Sequence, residues 1–352
     1  MFNFDELYKE KLEQLLKQCF DFRKKIIIDA CKYGGIIVVS ILLILGFSYI
    51  FPNYNISWIY VIPFIAVIAL SFFILSNRKK YIETYKMIVI KTIIESIDKN
   101  LSCDLAGCLD VEDFFKSKIY KRTDLTDFFG FLLIKGKYKE TELRVSKTYA
   151  YYETVKEVTE KTDKGTYIEV KKKKVVKKVP LFKGFLFIAD FNKEFKSNTI
   201  LKSKELLTKF NSNDKKTFFK DKSIKMENID FNNKFEVFSE DEIETRYILS
   251  LKLMERILEV QEKLKKGLVS YNNSNAISNV VNKIKSKLNK SIEISFIDSE
   301  IYIMIPNEDT YLNLSLLSIQ KNKNETKKFY ETVTSLIGIV DILDLNTRIW
   351  SK

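Results

Sequence analysis

Residues 33–77 read YGGIIVVSILLILGFSYIFPNYNISWIYVIPFIAVIALSFFILSN, a run without a single charged side chain. Pro52-Asn53-Tyr54-Asn55 divides it into two apolar pieces, Gly34–Phe51 and Trp58–Ser76. At 1.5 Å per helical residue, each piece covers about 27–29 Å of a hydrocarbon core near 30 Å. The pattern predicts a transmembrane hairpin; two core helices joined by so short a polar link, or a cleaved leader, fit it less well. Arg23, Lys24, Lys25 and Lys32 precede the first span, and Arg78, Lys79, Lys80, Lys86 and Lys91 follow the second, while the link has no cation. The positive-inside bias therefore places both chain ends in the cytoplasm. Tyr49, Tyr54, Trp58 and Tyr60 suit the outer interface, and Tyr33, Tyr81 and Tyr85 the inner one. Neither span holds an ionisable side chain, so nothing marks an ion path or proton relay.

Working outward, Phe4, Leu7, Leu12, Leu15, Cys19, Phe22 and Ile26 recur at near-helical spacing before the first span, as do Tyr81, Tyr85, Ile88, Val89, Thr92, Ile93 and Ile97 after the second. Both spans are expected to continue as helices, their apolar stripes packing together as a stalk or covering the rest of the chain. This gives a helical membrane hairpin with stalk over 1–100 and a cytosolic domain over 101–352. In the latter, Phe131–Ile134 and Thr141–Tyr152 read as strands. Thr148–Glu160 and Thr166–Val179 flank the turn sequence Thr162-Asp163-Lys164-Gly165 as a long hairpin. Pairing about that turn sets Glu153, Glu157 and Glu160 opposite Lys171, Lys172, Lys173, Lys174, Lys177 and Lys178. Those lysines are either compensated within the hairpin or available to anionic lipid headgroups.

Phe182–Phe191 reads as a buried strand whose Gly184 suggests a bulge or a close backbone approach. Ser239-Glu240-Asp241-Glu242 matches a capping box opening a helix to about Lys266, which accounts for its acids better than a metal site does. Gly267–Lys290 is rich in Asn and Ser, Ser291–Ile297 and Glu300–Ile305 form a second strand pair, and a last helix spans about Glu325 to Leu343. Hairpins alternating with helices, without a βαβ rhythm, indicate an α+β fold on a mainly antiparallel sheet.

The chemistry of the chain is defined first by exclusions. Lys and Arg number 59 against 46 Asp and Glu, a net charge of +13, and there is no histidine. Histidine-based triads, zincins and phosphorelays are thereby ruled out. The stretch from Gly130 to Gly136-Lys137-Tyr138 has the wrong spacing and no following Ser or Thr for a phosphate-binding loop. Cys19, Cys31, Cys103 and Cys108 form no C-x-x-C pair, and buried thiols are expected at 103 and 108. No catalytic, cofactor or metal set stands out, although Lys, Asp, Glu, Tyr and Ser retain the capacity for acid–base work. Only seven cations are arginine, which speaks against sequence-specific nucleic-acid recognition.

Phe182–Lys193, Phe235–Leu249, Ser295–Asp298 with Ile301–Ile303, and Leu345–Trp350 together resemble a bacterial membrane family called domain of unknown function 3137. The likeness extends over nearly the whole chain, hairpin included. It implies a cytoplasmic-membrane protein with a cytosolic α+β domain and no assigned activity. The Asn-rich segment after the Arg246 helix departs from it, a shorter connection being expected there. Within these blocks Asp190, Asn192, Lys193, Arg246, Tyr247, Arg348 and Trp350 are the candidate interaction surface. The alternatives are an i,i+4 pair with Glu242 for Arg246 and terminal packing for Trp350. The function expected is that of a membrane-tethered scaffold, its partners the bilayer and another protein or a second copy. A membrane-tethered sensor or enzyme for a small molecule or lipid headgroup is the alternative.

Overall fold

A computed structural model describes residues 3–50, 61–122, 125–163, 168–207, 223–267, 291–308 and 311–346. Side chains are described throughout these ranges except at 48, 155–163, 168–175, 206–207 and 265–267. Contacts divide the chain into two units, Met1–Ile97 with Thr310–Tyr330, and Asp98–Asp309 with Glu331–Lys352.

The first unit is helical. Helix α1 (Phe4–Leu7) leads through a π-helical turn, Tyr8–Leu12, into α2 (Glu13–Ile50), and α3 (Val61–Ile97) packs against α2. Two of these helices are long and apolar enough to cross a membrane. Their apolar residues differ sharply in environment along their length. Ile36, Val39, Leu42, Leu43 and Leu45 on α2, and Ile62, Phe64, Ile65, Ile68, Phe72 and Leu75 on α3, are exposed. Phe4, Leu7, Leu12, Leu16, Cys19 and Ile26 are buried, as are Tyr81, Tyr85, Val89, Ile90, Ile93 and Ile94. The buried stripe differs in detail from the expected one: Leu16 takes the inward position while Leu15 and Phe22 are exposed.

Tyr81 and Tyr85 are not interfacial tyrosines; both are fully buried, because α9 (Ile319–Ile337) supplies their polar partners. Asn322 Nδ2 donates to Tyr81 Oη at 2.9 Å, and Tyr85 Oη lies 3.1 Å from Thr326 Oγ1. Buried hydroxyls require such partners, and burial pushes both phenols above their ordinary range. Lys323 adds a contact to Asp5 at 3.5 Å and lies 4.7 Å from the Tyr8 ring centre.

The second unit is built on one antiparallel nine-stranded sheet in the order β1-β2-β3-β4-β9-β8-β5-β7-β6. Its strands are β1 (Leu101–Asp104), β2 (Asp127–Tyr138), β3 (Thr141–Asp163), β4 (Ile168–Asp190), β5 (Thr199–Ser203), β6 (Ser223–Ile224), β7 (Phe235–Ser239), β8 (Glu293–Ile297) and β9 (Glu300–Pro306). The helices are α4 (Val111–Lys116), α5 (Lys204–Leu207), α6 (Ile229–Lys234), α7 (Glu242–Ile248), α8 (Leu251–Gly267) and α10 (Ile339–Leu343), with the end of α9. The α+β fold expected from the pattern is the fold observed.

Alternation along the strands loads one face with Ala150, Phe182, Leu186, Ile188, Tyr302 and Met304, which cluster with Leu109, Phe114 and Ile119 from the α4 segment. The other face carries Phe185, Phe187, Ile301, Ile303, Ile305 and Ile294, also buried. Each such side chain contributes roughly 1.5–3 kcal/mol on burial. The β3–β4 hairpin has the register expected from its charges, Glu153 opposite Lys178, Glu157 opposite Lys174 and Glu160 opposite Lys171. Gly184 serves close approach rather than a bulge: a Cβ there would lie 2.1 Å from the Ile305 carbonyl oxygen.

The capping box needs correction. Ser239 ends β7, paired with Thr199, and the cap is Asp241, whose Oδ1 accepts from Ile243 N at 2.8 Å and Glu244 N at 3.0 Å. The helix expected to run on to Lys266 breaks at Leu249–Ser250 into α7 and α8. The last helix likewise begins earlier, at Ile319, and divides after Ile337. Cys103 and Cys108 are only partly buried.

Candidate functional site

At the end of β4, the Asp190 carboxylate accepts from Asn192 N at 3.1 Å, and Asn192 takes a left-handed conformation, φ 54°. Asparagine tolerates that geometry, and its amide is thereby free to reach the Leu345 carbonyl, to which it donates. Lys193 follows, its ammonium 5.0 Å from the centre of the Tyr247 ring, 5.9 Å from that of Phe191 and 3.5 Å from the Tyr247 carbonyl oxygen. Burial lowers its pKa. Three of the expected surface residues, Asn192, Lys193 and Tyr247, therefore meet here, with Asp190 setting the turn.

Two further segments complete the wall. The break after α7 leaves Ser250 at the start of α8, where its carbonyl accepts from Met254 N at 3.0 Å and its Oγ from Leu253 N at 3.4 Å. After α10, Asp344 turns the chain with φ 59°, so that Leu345 N donates back to the Val340 carbonyl at 3.0 Å. Arg256 of α8 holds this corner through Asp344 at 3.0 Å. Between these segments lies a pocket of 160 Å³ lined by Phe191, Asn192, Lys193, Ser250, Lys252, Leu253, Arg256 and Leu343–Leu345. Its charged lining is Lys193, Lys252 and Arg256 against Asp344, a net charge of 3 − 1 = +2. Among the described residues neither lysine has a carboxylate at ion-pair distance.

A larger groove of 570 Å³, bordered by Lys135, Lys137 and Arg144 and by Glu142, Asp190, Asp298 and Glu300, carries a net charge of 3 − 4 = −1 instead. Arg144 contacts Asp113 at 3.1 Å and Glu300 at 2.8 Å, and Tyr302 donates to Glu300 at 2.6 Å. Asp298 and Ser299, with φ of 50° and 63°, form the tight turn joining β8 to β9 at its edge.

A third feature is aromatic. Across β2 and β3, Phe131, Tyr149, Phe129 and Tyr151 form a ladder with centroid spacings of 6.0, 5.3 and 5.8 Å and interplanar angles no greater than 25°. Phe129 is 54 % exposed. Lys183 lies 5.5 Å from the Tyr151 ring centre, within cation–π range. Lys147, beside the ladder, is buried and donates to the Asn307 side-chain oxygen at 2.6 Å.

Arg246 stands apart from the pocket, donating to Glu242 at 2.7 Å, to the Lys225 carbonyl at 3.0 Å and to Glu227. Lys178 pairs with Asp127, and Lys177 is exposed. The side chains of Lys171, Lys172, Lys173 and Lys174, and residues Arg348 and Trp350, lie outside the described residues. Lys252, Arg256 and Asp344 had no signal in the sequence, being ordinary helix-surface and helix-end residues until the fold joins them. Among the described residues no group of three or more Cys, Asp or Glu is placed to hold a metal ion.

A helical unit with two bilayer-length apolar helices and a nine-stranded α+β unit together define the class of protein. The model of the family described as "protein of unknown function (DUF3137)" matches residues 180–277 and 274–345. The match is narrower than the near-complete likeness expected, leaving the hairpin outside it, and its two parts meet within the Asn-rich segment. No curated protein and no solved structure matches the chain.

Proposed function

We propose that the chain is an integral protein of a bacterial cytoplasmic membrane, spanning it twice with both ends in the cytoplasm, and that its α+β unit is a non-enzymatic interaction or scaffold domain. The observation carrying this reading is the change of environment within single helices. Apolar side chains are mostly exposed over the two charge-free stretches, whereas beyond them one stripe, including Leu12, Leu16, Cys19, Ile26, Tyr81, Tyr85, Val89, Ile90, Ile93 and Ile94, is buried, as expected where lipid replaces protein as the covering medium. A soluble protein would leave that apolar surface in water, far beyond the few hundred Å² that monomers normally expose.

The aromatic ladder supports the interaction role. Aromatic residues are enriched at protein contacts, and this ladder, exposed at Phe129 and Phe131 and half-buried at Tyr149 and Tyr151, is prearranged by the sheet and flanked by lysine. The partner expected is another protein or a second copy of the chain. Crosslinking in native membranes tests this. A saturable partner should be recovered with the wild-type chain and lost with Phe129→Ser/Tyr151→Ser; equal recovery with both would reject the ladder as the contact. A second reading, binding of a small molecule or lipid headgroup, is favoured by the cationic pocket around Lys193.

A further inference from the structure

We infer that the pocket between the end of β4, the start of α8 and the end of α10 binds a phosphate group, as a free phosphomonoester or as a lipid headgroup. The inference rests on the ligand-binding reading above and names the chemistry it requires.

Charge carries the argument first. Arg256 is already committed to Asp344, whereas Lys193 and Lys252 face the same 160 Å³ cavity without a carboxylate partner among the described residues. The surplus of +2 matches a phosphate dianion and exceeds what a single carboxylate would neutralise. Elsewhere in this unit Arg144 is compensated by two acids and Lys202 by Glu293 at 2.7 Å.

Geometry gives the second part. Lys193 is held half-buried by the rings of Tyr247 and Phe191, and its only described hydrogen bond is the long one, 3.5 Å, to the Tyr247 carbonyl. Two ammonium protons are left for a ligand, on a side chain whose freedom has already been reduced. The first turn of α8, a helix of 17 residues, lines the same cavity, and its N-terminal dipole adds to the attraction without creating the site. Burial disfavours the Lys193 ammonium, and a bound anion would restore it. Asn192, fixed by Asp190 and Leu345, borders the cavity as a rigid neutral wall.

The test uses the full-length protein in a neutral maltoside, titrated calorimetrically with inorganic phosphate, with acetate and with dihexanoyl phosphatidic acid. Phosphate should bind saturably, and Lys193→Met should weaken it at least tenfold. Lys183→Met, at the aromatic ladder, should leave it unchanged. Stronger binding of phosphatidic acid, displaced by phosphate and equally sensitive to Lys193→Met, would identify the lipid headgroup as the source. Phosphate binding without phosphatidic acid binding would identify a soluble phosphomonoester. Acetate binding as tightly as phosphate, with the same dependence on Lys193, would overturn the phosphate assignment but preserve the ligand-binding reading. Absence of Lys193-dependent binding of any of the three would overturn both. Lys193→Met removes a half-buried charge and is expected to fold; its melting curve, recorded alongside, separates lost binding from lost structure.

Discussion

Replacing Lys202 by Met should destabilise the α+β unit more than any surface substitution. Its ammonium lies 2.7 Å from Glu293, with the two side chains only 5 % and 3 % exposed. The Ile119 carbonyl accepts from the same ammonium at 3.0 Å, and Tyr120 Oη donates to Glu293 at 2.8 Å. The Tyr120 ring centre is 4.8 Å from the ammonium, and burial, followed by the Glu293 charge, raises the pKa of its phenol well above the ordinary range. Removing the lysine leaves the carboxylate buried and uncompensated, which costs about 3–5 kcal/mol. For a unit of this size each kcal/mol lowers Tm by roughly 2–4 °C, so a fall of about 6–20 °C is expected. Lys202→Met/Glu293→Gln removes both charges while keeping an acceptor for Tyr120, and should recover at least about 2 kcal/mol of the loss. Melting of the detergent-solubilised chain by circular dichroism measures all three proteins. A single-mutant shift below about 2 °C, or a double mutant no better than the single, would refute the reasoning.

Gly184→Ala should cost more than about 2 kcal/mol, because the added methyl meets the Ile305 backbone oxygen at 2.1 Å and neither central strand can move freely; a neutral Tm would contradict this. The lowered pKa of Lys193 means that, between that value and 10.5, the folded protein binds fewer protons than the unfolded chain. Its penalty is therefore full below that window and fades as pH rises through it, so Lys193→Met should raise Tm most near neutrality and not at all above pH 10.5. A difference in Tm that is constant with pH would sink this account. Cys103, whose thiol is pushed up to about 12 chiefly by burial, should resist alkylation at pH 8, where about one molecule in ten thousand carries its thiolate. Rapid labelling at Cys103, read by mass spectrometry, would show the site to be open.

The legible parts of the fold were those imposed by local chemistry. The two long apolar helices announce themselves as charge-free runs, and the β3–β4 hairpin advertises itself through a turn sequence flanked by complementary charges. The misread parts depended on distant residues. Tyr81 and Tyr85 looked like interfacial aromatics because Asn322 and Thr326, their hydrogen-bonding partners, lie 241 positions away. Ser239 fitted a capping motif, but pairing of β7 with Thr199 claims its backbone, and Asp241 wins the cap. The break at Leu249–Ser250 has neither Gly nor Pro to announce it. For the pocket, the sequence pointed to Asn192, Lys193 and Tyr247, whereas Arg256 and Asp344 join them only through packing of α8 beside α10.

The central claim, that residues 34–51 and 58–76 cross a bilayer and return the chain to the cytoplasm, is tested most directly by site-specific labelling in intact bacterial cells. The four native cysteines are replaced by serine, and either Asn53→Cys or Lys99→Cys is introduced and treated with a membrane-impermeant maleimide. The account predicts labelling of Asn53→Cys in intact cells, of Lys99→Cys only after lysis, and retention of both proteins in carbonate-washed membranes. Equal labelling of the two positions before lysis, or release of the chain into the carbonate supernatant, would contradict it.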